Sequence, residues 1–209
     1  MKISNDFSQS TAESINKAGL VLQRGGIIAF PTETYYGLGV DPFNTTAVES
    51  LFRLKQRERH KPILVLVSDL DMLMQLVTTI PEQYQVLMKR YWPGPLTLIF
   101  PAKKEVSSLL TGESGTVGIR ISSNPIVQQI FKKWPKPFTA TSANISKQAP
   151  AKSSSDVLAY FGDKIDCLID GGDAPAGLCS TIVGLRNNDL TEIRKGQIAF
   201  SKLRAFTNK

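Results

Sequence analysis

Short apolar runs bounded by glycine or proline alternate with amphipathic stretches along the whole chain. Ser10-Thr11-Ala12-Glu13 has the form of a capping box. Apolar Ile15, Ala18, Leu20 and Leu22 behind it predict a first helix, which Gly25-Gly26 ends. Residues 27–30 predict a strand stopped by Pro31, and PTETYYGLGVD at 31–41 reads as a turn-rich segment. Thr46-Ala47-Val48-Glu49 repeats the capping-box pattern and predicts a second helix through Val48, Leu51 and Phe52. Residues 63–67 read as a buried strand, with helical patterns at 69–77 and 81–91 beyond it. Pro81 stands at the first helical position of the latter.

Trp92-Pro93-Gly94-Pro95 breaks the chain before a strand at 96–100, and 103–110 reads as a loop or short helix. Residues 117–121 alternate as a strand that contains Arg120. Asn124-Pro125 starts a helix through Ile126, Ile130 and Phe131, and a short strand at 138–141 runs into Ser142-Ala143-Asn144. A polar segment at 147–155 reads as mobile and precedes a short helix at 156–161. Strands at 167–170, 181–185 and 191–194 follow, with a last segment at 201–206. No internal repeat and no composition shift marks a linker. Strands alternating with helices predict the α/β class, as one domain over residues 1–209 with its core at about 12–200 and a mixed sheet.

One stretch stands out by charge. RLKQRERHKP at 53–62 sets Arg53, Lys55, Arg57, Arg59 and Lys61 against one acid, Glu58, and holds the single histidine, His60. On a helix this every-second spacing scatters the cations, whereas on an extended segment it lines them along one side. Beside a buried strand such a row fits a phosphate receptor. A solvated loop after a helix accounts for the same charges. The formal net charge of +7 tilts the partners toward polyanions such as nucleotides, RNA or acidic surfaces.

Composition narrows the classes. A hydrophobic content of 42% with 21% charged residues is that of a globular chain with a buried core. No apolar run approaches the roughly 20 residues of a membrane span, and the start MKISNDFSQS has no signal-peptide pattern. Two cysteines, Cys167 and Cys179, fit a reduced cytoplasm, the expected location, better than a disulfide framework. One histidine and no CxxC pair argue against a metal site. Gly37-Leu38-Gly39 lacks a third glycine in register, and neither a P-loop nor a GxSxG elbow occurs. A phosphate site here must be built from side-chain cations and scattered amides.

Polar groups of one kind gather near strand ends: Thr32, Thr34, Arg120, Ser142, Asn144, Ser180, Thr181 and Arg194. In α/β sheets ligands collect where loops diverge from strand ends. Each residue alone is also readable as a turn former or a surface partner. Together they describe a site rich in hydroxyls and guanidiniums and poor in acids and bases, suited to an anion or a small zwitterion.

Those residues lie in a set of motifs that resembles the YrdC-domain family. The motifs are PTETYYGLG at 31–39, KQR at 55–57, WPGPLTLIF at 92–100, TVGIRIS at 116–122, TSAN at 141–144, CSTIV at 179–183 and EIRKG at 192–196. They run in family order from about residue 12 to 200. The resemblance implies a twisted mixed parallel and antiparallel sheet flanked by helices, with a basic concave cavity. It implies a threonylcarbamoyl-AMP synthase, which joins L-threonine, bicarbonate and ATP with release of pyrophosphate and feeds threonylcarbamoyladenosine formation in tRNA. It further implies ATP contacts at Lys55, Arg57, Lys61, Thr116, Ser142, Asn144 and Arg194, with Lys55 and Arg57 as the catalytic pair. Threonine contacts are implied at Thr34, Arg120, Ser142 and Ser180. Mg²⁺ is expected on the ATP rather than on protein ligands. Candidate macromolecular partners are tRNA or double-stranded RNA and a downstream threonylcarbamoyl-transferase complex.

The chain departs from the family pattern at Leu66, Lys147, Lys152 and Cys179. It ends soon after its last strand, which resembles the short form of the family. Two other functions fit the same charges: a basic RNA-binding module without chemistry, and a carbamoyl-adenylate enzyme with another acceptor.

Overall fold

The Ser10 hydroxyl accepts from the Glu13 N–H at 3.4 Å, and the Glu13 carboxylate accepts from the Ser10 N–H at 3.1 Å. This closes the capping box read from the sequence and starts α1 (Thr11–Gln23). In this computed structural model residues 10–206 are described. The chain continues through β1 (Ile28–Pro31), β2 (Tyr36–Gly39), α2 (Thr45–Lys55), β3 (Leu64–Leu66), α3 (Leu70–Leu73) and α4 (Glu82–Tyr91). Then come β4 (Leu96–Pro101), α5 (Ser108–Thr111), β5 (Thr116–Arg120), α6 (Pro125–Lys133), β6 (Phe138–Ser142) and α7 (Ser154–Phe161). The last elements are β7 (Cys167–Leu168), β8 (Thr181–Arg186), β9 (Asp189–Arg194) and α8 (Phe200–Arg204). Among the described residues no helix is long and apolar enough to cross a membrane.

The strands form one sheet in the order β7-β1-β2-β6-β3-β5-β4-β8-β9. Pairs β1/β7, β3/β5 and β4/β8 are parallel and the rest antiparallel, so the sheet is mixed as expected. β6 joins the two halves, pairing Leu38 with Thr141 on one side and Val65 with Thr139 on the other. Because strand side chains alternate, one face carries Val65, Leu98, Ile119 and Val183, all fully buried. Tyr84 of α4 packs edge-on against Phe100 with centroids 5.1 Å apart and donates to the Ile99 carbonyl at 2.9 Å. The opposite face of the same strands is left for a site.

Several local expectations are corrected. The segment 31–41 turns only at residues 32–35, where the Thr32 N–H donates to the Tyr35 carbonyl at 3.1 Å; the rest supplies β2, which forms a hairpin with β1 in the register Phe30–Gly37 and Pro31–Tyr36. Pro31 belongs to the strand rather than stopping it. Gly39 looks like turn chemistry but serves close approach, since a Cβ there would lie 2.8 Å from the Thr139 carbonyl oxygen. The Thr46–Glu49 pattern does not cap α2; the Asn44 side chain does, accepting from the Ala47 N–H at 3.0 Å. The pattern at 69–77 shrinks to α3, and Leu20 and Leu70 turn to solvent. Pro81 is the cap of α4 rather than its first residue. The segment 147–155 is pinned by Ala151, which is buried and bonds through its backbone to Ala143 and Tyr36.

The corrected cap is testable. Asn44→Ala is expected to lower stability by about 1 kcal/mol in urea unfolding, while Thr46→Ala, at an exposed position, changes it little. Equal losses from both would restore the capping-box reading.

Candidate active site

The face left open becomes the floor of a cavity of about 640 Å³. Alternate strand residues build it: Thr97 and Ile99 from β4, Gly118 and Arg120 from β5, Ala140 and Ser142 from β6, and Ser180 and Ile182 along β8. Its walls are the connection between β1 and β2 with Thr32 and Thr34, the loop after α2 with Arg57 and Lys61, and the end of β9 with Arg194. The floor is therefore mid-strand as well as strand-end, which the strand-end reading did not foresee. Among the described residues four cations, Arg57, Lys61, Arg120 and Arg194, line it, and no lining side chain is a carboxylate.

The basic stretch does not run as an extended row. Arg53 and Lys55 lie on the last turn of α2, and Gln56 ends that helix in a left-handed conformation, with φ at 50°. The chain then turns, and the cations part company. Arg57 folds back, its Nε donating to the Lys61 carbonyl at 3.2 Å and its Nη2 to the Pro62 carbonyl at 2.9 Å. Lys61 pairs with Glu58 at 3.1 Å, and Lys147 reaches the same carboxylate at 3.3 Å. Arg59 points away to Glu49, and His60 to Glu58, both largely in solvent.

Lys55 takes a different place. Only 1% exposed, its ammonium donates to the carbonyls of Ser142 and Asn144, the latter at 2.9 Å, and to Asn144 Oδ1 at 3.4 Å. Burial pushes it down to about 7, and the Arg57 charge acts in the same direction. The Ser142 hydroxyl donates to Asn144 Oδ1 at 2.6 Å, and Asn144 Nδ2 donates to the carbonyls of Ile145 and Gln148. Lys55 and Asn144 thus shape the turn that presents Ser142, and neither reaches the cavity wall. Thr116 also lies off the wall, at the start of β5 with its hydroxyl 2.8 Å from Ser114 Oγ.

On the other side, Arg194 donates through Nε and Nη2 to the Ser180 carbonyl, and through Nη2 to Ser180 Oγ at 2.9 Å. Ser180 Oγ also lies 2.9 Å from Thr97 Oγ1, which is fully buried. Thr32 and Thr34 share a hydroxyl contact of 2.9 Å. Arg120, 4% exposed, pairs with Glu33 at 3.4 Å, and its Nε is buried without a partner. Burial holds the guanidiniums of Arg57, Arg120 and Arg194 below the usual arginine range. Arg194 adds to the effect on Arg57, and Arg120 to that on Arg194. A bound anion relieves both the desolvation and the mutual repulsion. Thr34, Arg57, Lys61, Arg120, Ser142, Ser180 and Arg194 are thus gathered around one cavity, and Lys55, Thr116 and Asn144 are not on its wall. Sequence reasoning quoted the motifs that contain Glu33 and Thr97 but singled out neither, because their value lies in what they touch.

A profile of the Sua5/YciO/YrdC family, described as telomere recombination, matches residues 20–196. The chain belongs to this family. It is 35% identical to a threonylcarbamoyl-AMP synthase of Pyrococcus abyssi (strain GE5 / Orsay), across 87% of this chain and 54% of that one. A threonylcarbamoyl-AMP synthase of Idiomarina loihiensis is also 35% identical, across 79% of this chain and 90% of that one. The crystal structure of P. abyssi Sua5 complexed with L-threonine superposes with a TM-score of 0.89 at 34% identity, covering 93% of this chain and 57% of that one. The chain thus spans little more than half the length of the Pyrococcus relatives and nearly all of the Idiomarina one. The family resemblance read from the motifs is borne out, and so is the mixed sheet flanked by helices.

Proposed function

We propose that the protein is an L-threonylcarbamoyladenylate synthase, forming threonylcarbamoyl-AMP and pyrophosphate from L-threonine, bicarbonate and ATP. The observation that carries this is the cavity itself, with four cations, no lining carboxylate and a hydroxyl set around Arg120. Family membership supports it, because the two similar curated proteins bear that name. Arg57, Lys61 and Arg194 neutralise the triphosphate in this reading, with Ser142 beside them. Arg120 takes the threonine carboxylate, and Thr34, Ser142 and Ser180 orient its ammonium and hydroxyl. Lys55 and Asn144 hold the Ser142 turn, so the catalytic pair first read as Lys55 and Arg57 reduces to Arg57 as the group in contact.

The threonine ammonium gives one proton to bicarbonate, which breaks down to CO₂ and water. The freed amine adds to the CO₂ and loses a second proton to solvent, giving a carbamate whose oxygen attacks the α-phosphorus as pyrophosphate leaves. The carbamate is already anionic, so positioning and charge neutralisation supply most of the acceleration. A site without a histidine or a carboxylate pair suits such a step. Among the described residues no cluster of three or more His, Cys, Asp or Glu side chains could hold a metal. Mg²⁺ enters this reading with ATP, as part of the substrate. The single nine-stranded sheet, formed by residues 28–194, supports the reading of one domain with its core at about 12–200.

The test is incubation with ATP, Mg²⁺, bicarbonate and L-threonine, read as pyrophosphate release and as a threonylcarbamoyl adenylate. Both are expected, and both should vanish when threonine is left out. RNA binding that falls steeply with salt and without ATP turnover would instead make the cavity a nucleic-acid module.

A further inference from the structure

We infer that Glu33 is a positioning residue, which holds the Arg120 guanidinium ready for a substrate carboxylate. The inference rests on the threonine-site reading above. A guanidinium buried as deeply as that of Arg120 needs a counter-charge, and the ion pair at 3.4 Å to Glu33 Oε1 supplies it. Glu33 is itself fixed from behind. The Ser122 hydroxyl donates to Glu33 Oε2, and Gln197 Nε2 donates to the Glu33 carbonyl at 3.3 Å. Glu33 Oε1 makes no hydrogen bond of its own, so its contribution to Arg120 is charge and direction rather than a closed fork.

The local sequence explains the placement. Thr32 and Thr34 line the cavity, while Glu33 between them is directed to Arg120 on the wall and to Ser122 behind it. One tripeptide thus supplies two hydroxyls to the ligand side and one carboxylate to the support side. Because the guanidinium is planar and rigid, holding it at Nη1 also orients Nε. That Nε is buried and makes no hydrogen bond, so the guanidinium keeps a donor that Glu33 does not satisfy. The ion pair at 3.4 Å leaves the Arg120 fork unsaturated, yet it keeps the charge from being stranded in a buried site.

Glu33→Gln keeps the shape and the Ser122 contact but removes the charge, and Glu33→Asp keeps the charge on a shorter arm. Isothermal titration with L-threonine, without ATP, reads the carboxylate site directly, and titration with ATP reads the other half of the cavity. Glu33→Gln should bind L-threonine about tenfold more weakly than the unaltered protein, with ATP affinity changed less than about twofold. Glu33→Asp should recover part of the loss. If Glu33→Gln binds L-threonine as tightly as the unaltered protein, or more tightly, the inference is overturned and the proposed function stands. Loss of ATP affinity in parallel with threonine would make Glu33 a general support of the fold, which also overturns it. An unaltered protein that binds ATP but no L-threonine would remove the threonine reading and this inference together.

Discussion

Arg57→Ala is expected to lower pyrophosphate exchange into ATP, dependent on threonine and bicarbonate, by about a hundredfold or more. The size follows from what the side chain does in the cavity. Arg57 is tied to its own loop by two carbonyls and faces Arg194 across the site with much of its hydration lost. A cation held in that way is poised for phosphate oxygens, since the anion satisfies its remaining donors and cancels the repulsion from Arg194. Truncation removes the charge and also frees the carbonyls of Lys61 and Pro62, so the loop that carries Lys61 loosens. Arg57→Lys separates the two effects, because a point charge returns without the fork. It should recover part of the exchange but not the full rate. Exchange unchanged in Arg57→Ala would sink the assignment of this wall to ATP.

Much of this site is written in residue identity, and some of it only in distance. The capping box of α1 and the cap of α6 were readable because a helix start needs a particular side chain at a particular step. β2 was hidden because Gly37 and Gly39 look like turn formers, and nothing local reveals that Thr139 and Phe30 crowd them. The Thr46–Glu49 match was a coincidence of composition: Asn44, two residues earlier, makes the bond. At the cavity, the hydroxyls and guanidiniums were legible as a kind, and the motif order gave the family. Which cations face the ligand was not legible. Lys55, Arg57 and Arg59 sit at alternate positions, yet Lys55 points inward from the last turn of α2, and beyond the left-handed Gln56 Arg57 turns to the cavity and Arg59 to solvent. Glu33 was illegible for the same reason, since its partner lies 87 positions away on β5.

Lys55→Met is expected to cost exchange activity nearly as much as Arg57→Ala, about a hundredfold, though the ammonium does not reach the cavity wall. Lys55 clamps the exit of β6 twice: its carbonyl accepts from the Ser146 N–H at 2.8 Å, and its ammonium satisfies Ser142 and Asn144. Methionine fills the space but takes the ammonium from both carbonyls: the Asn144 carbonyl loses its donor and the Ser142 carbonyl keeps only the Asn144 N–H at 3.0 Å, so the turn that carries Ser142 moves. Stability should carry a second signature. Burial pushes the ammonium down from the ordinary 10.5 to about 7 in the folded protein, so between these limits the unfolded chain holds a proton that the folded one has released. Stability attributable to Lys55 therefore rises with pH across that window, and below it both states are charged and the cost of burial is full and constant. Urea unfolding at about pH 6 and about pH 9 should show the native protein gaining on Lys55→Met as pH rises. A gap that stays flat, or narrows in the other direction, would mean that the folded protein keeps Lys55 charged. Its three oxygens would then outweigh its burial, and the residue would be an ion held in reserve rather than a neutral clamp.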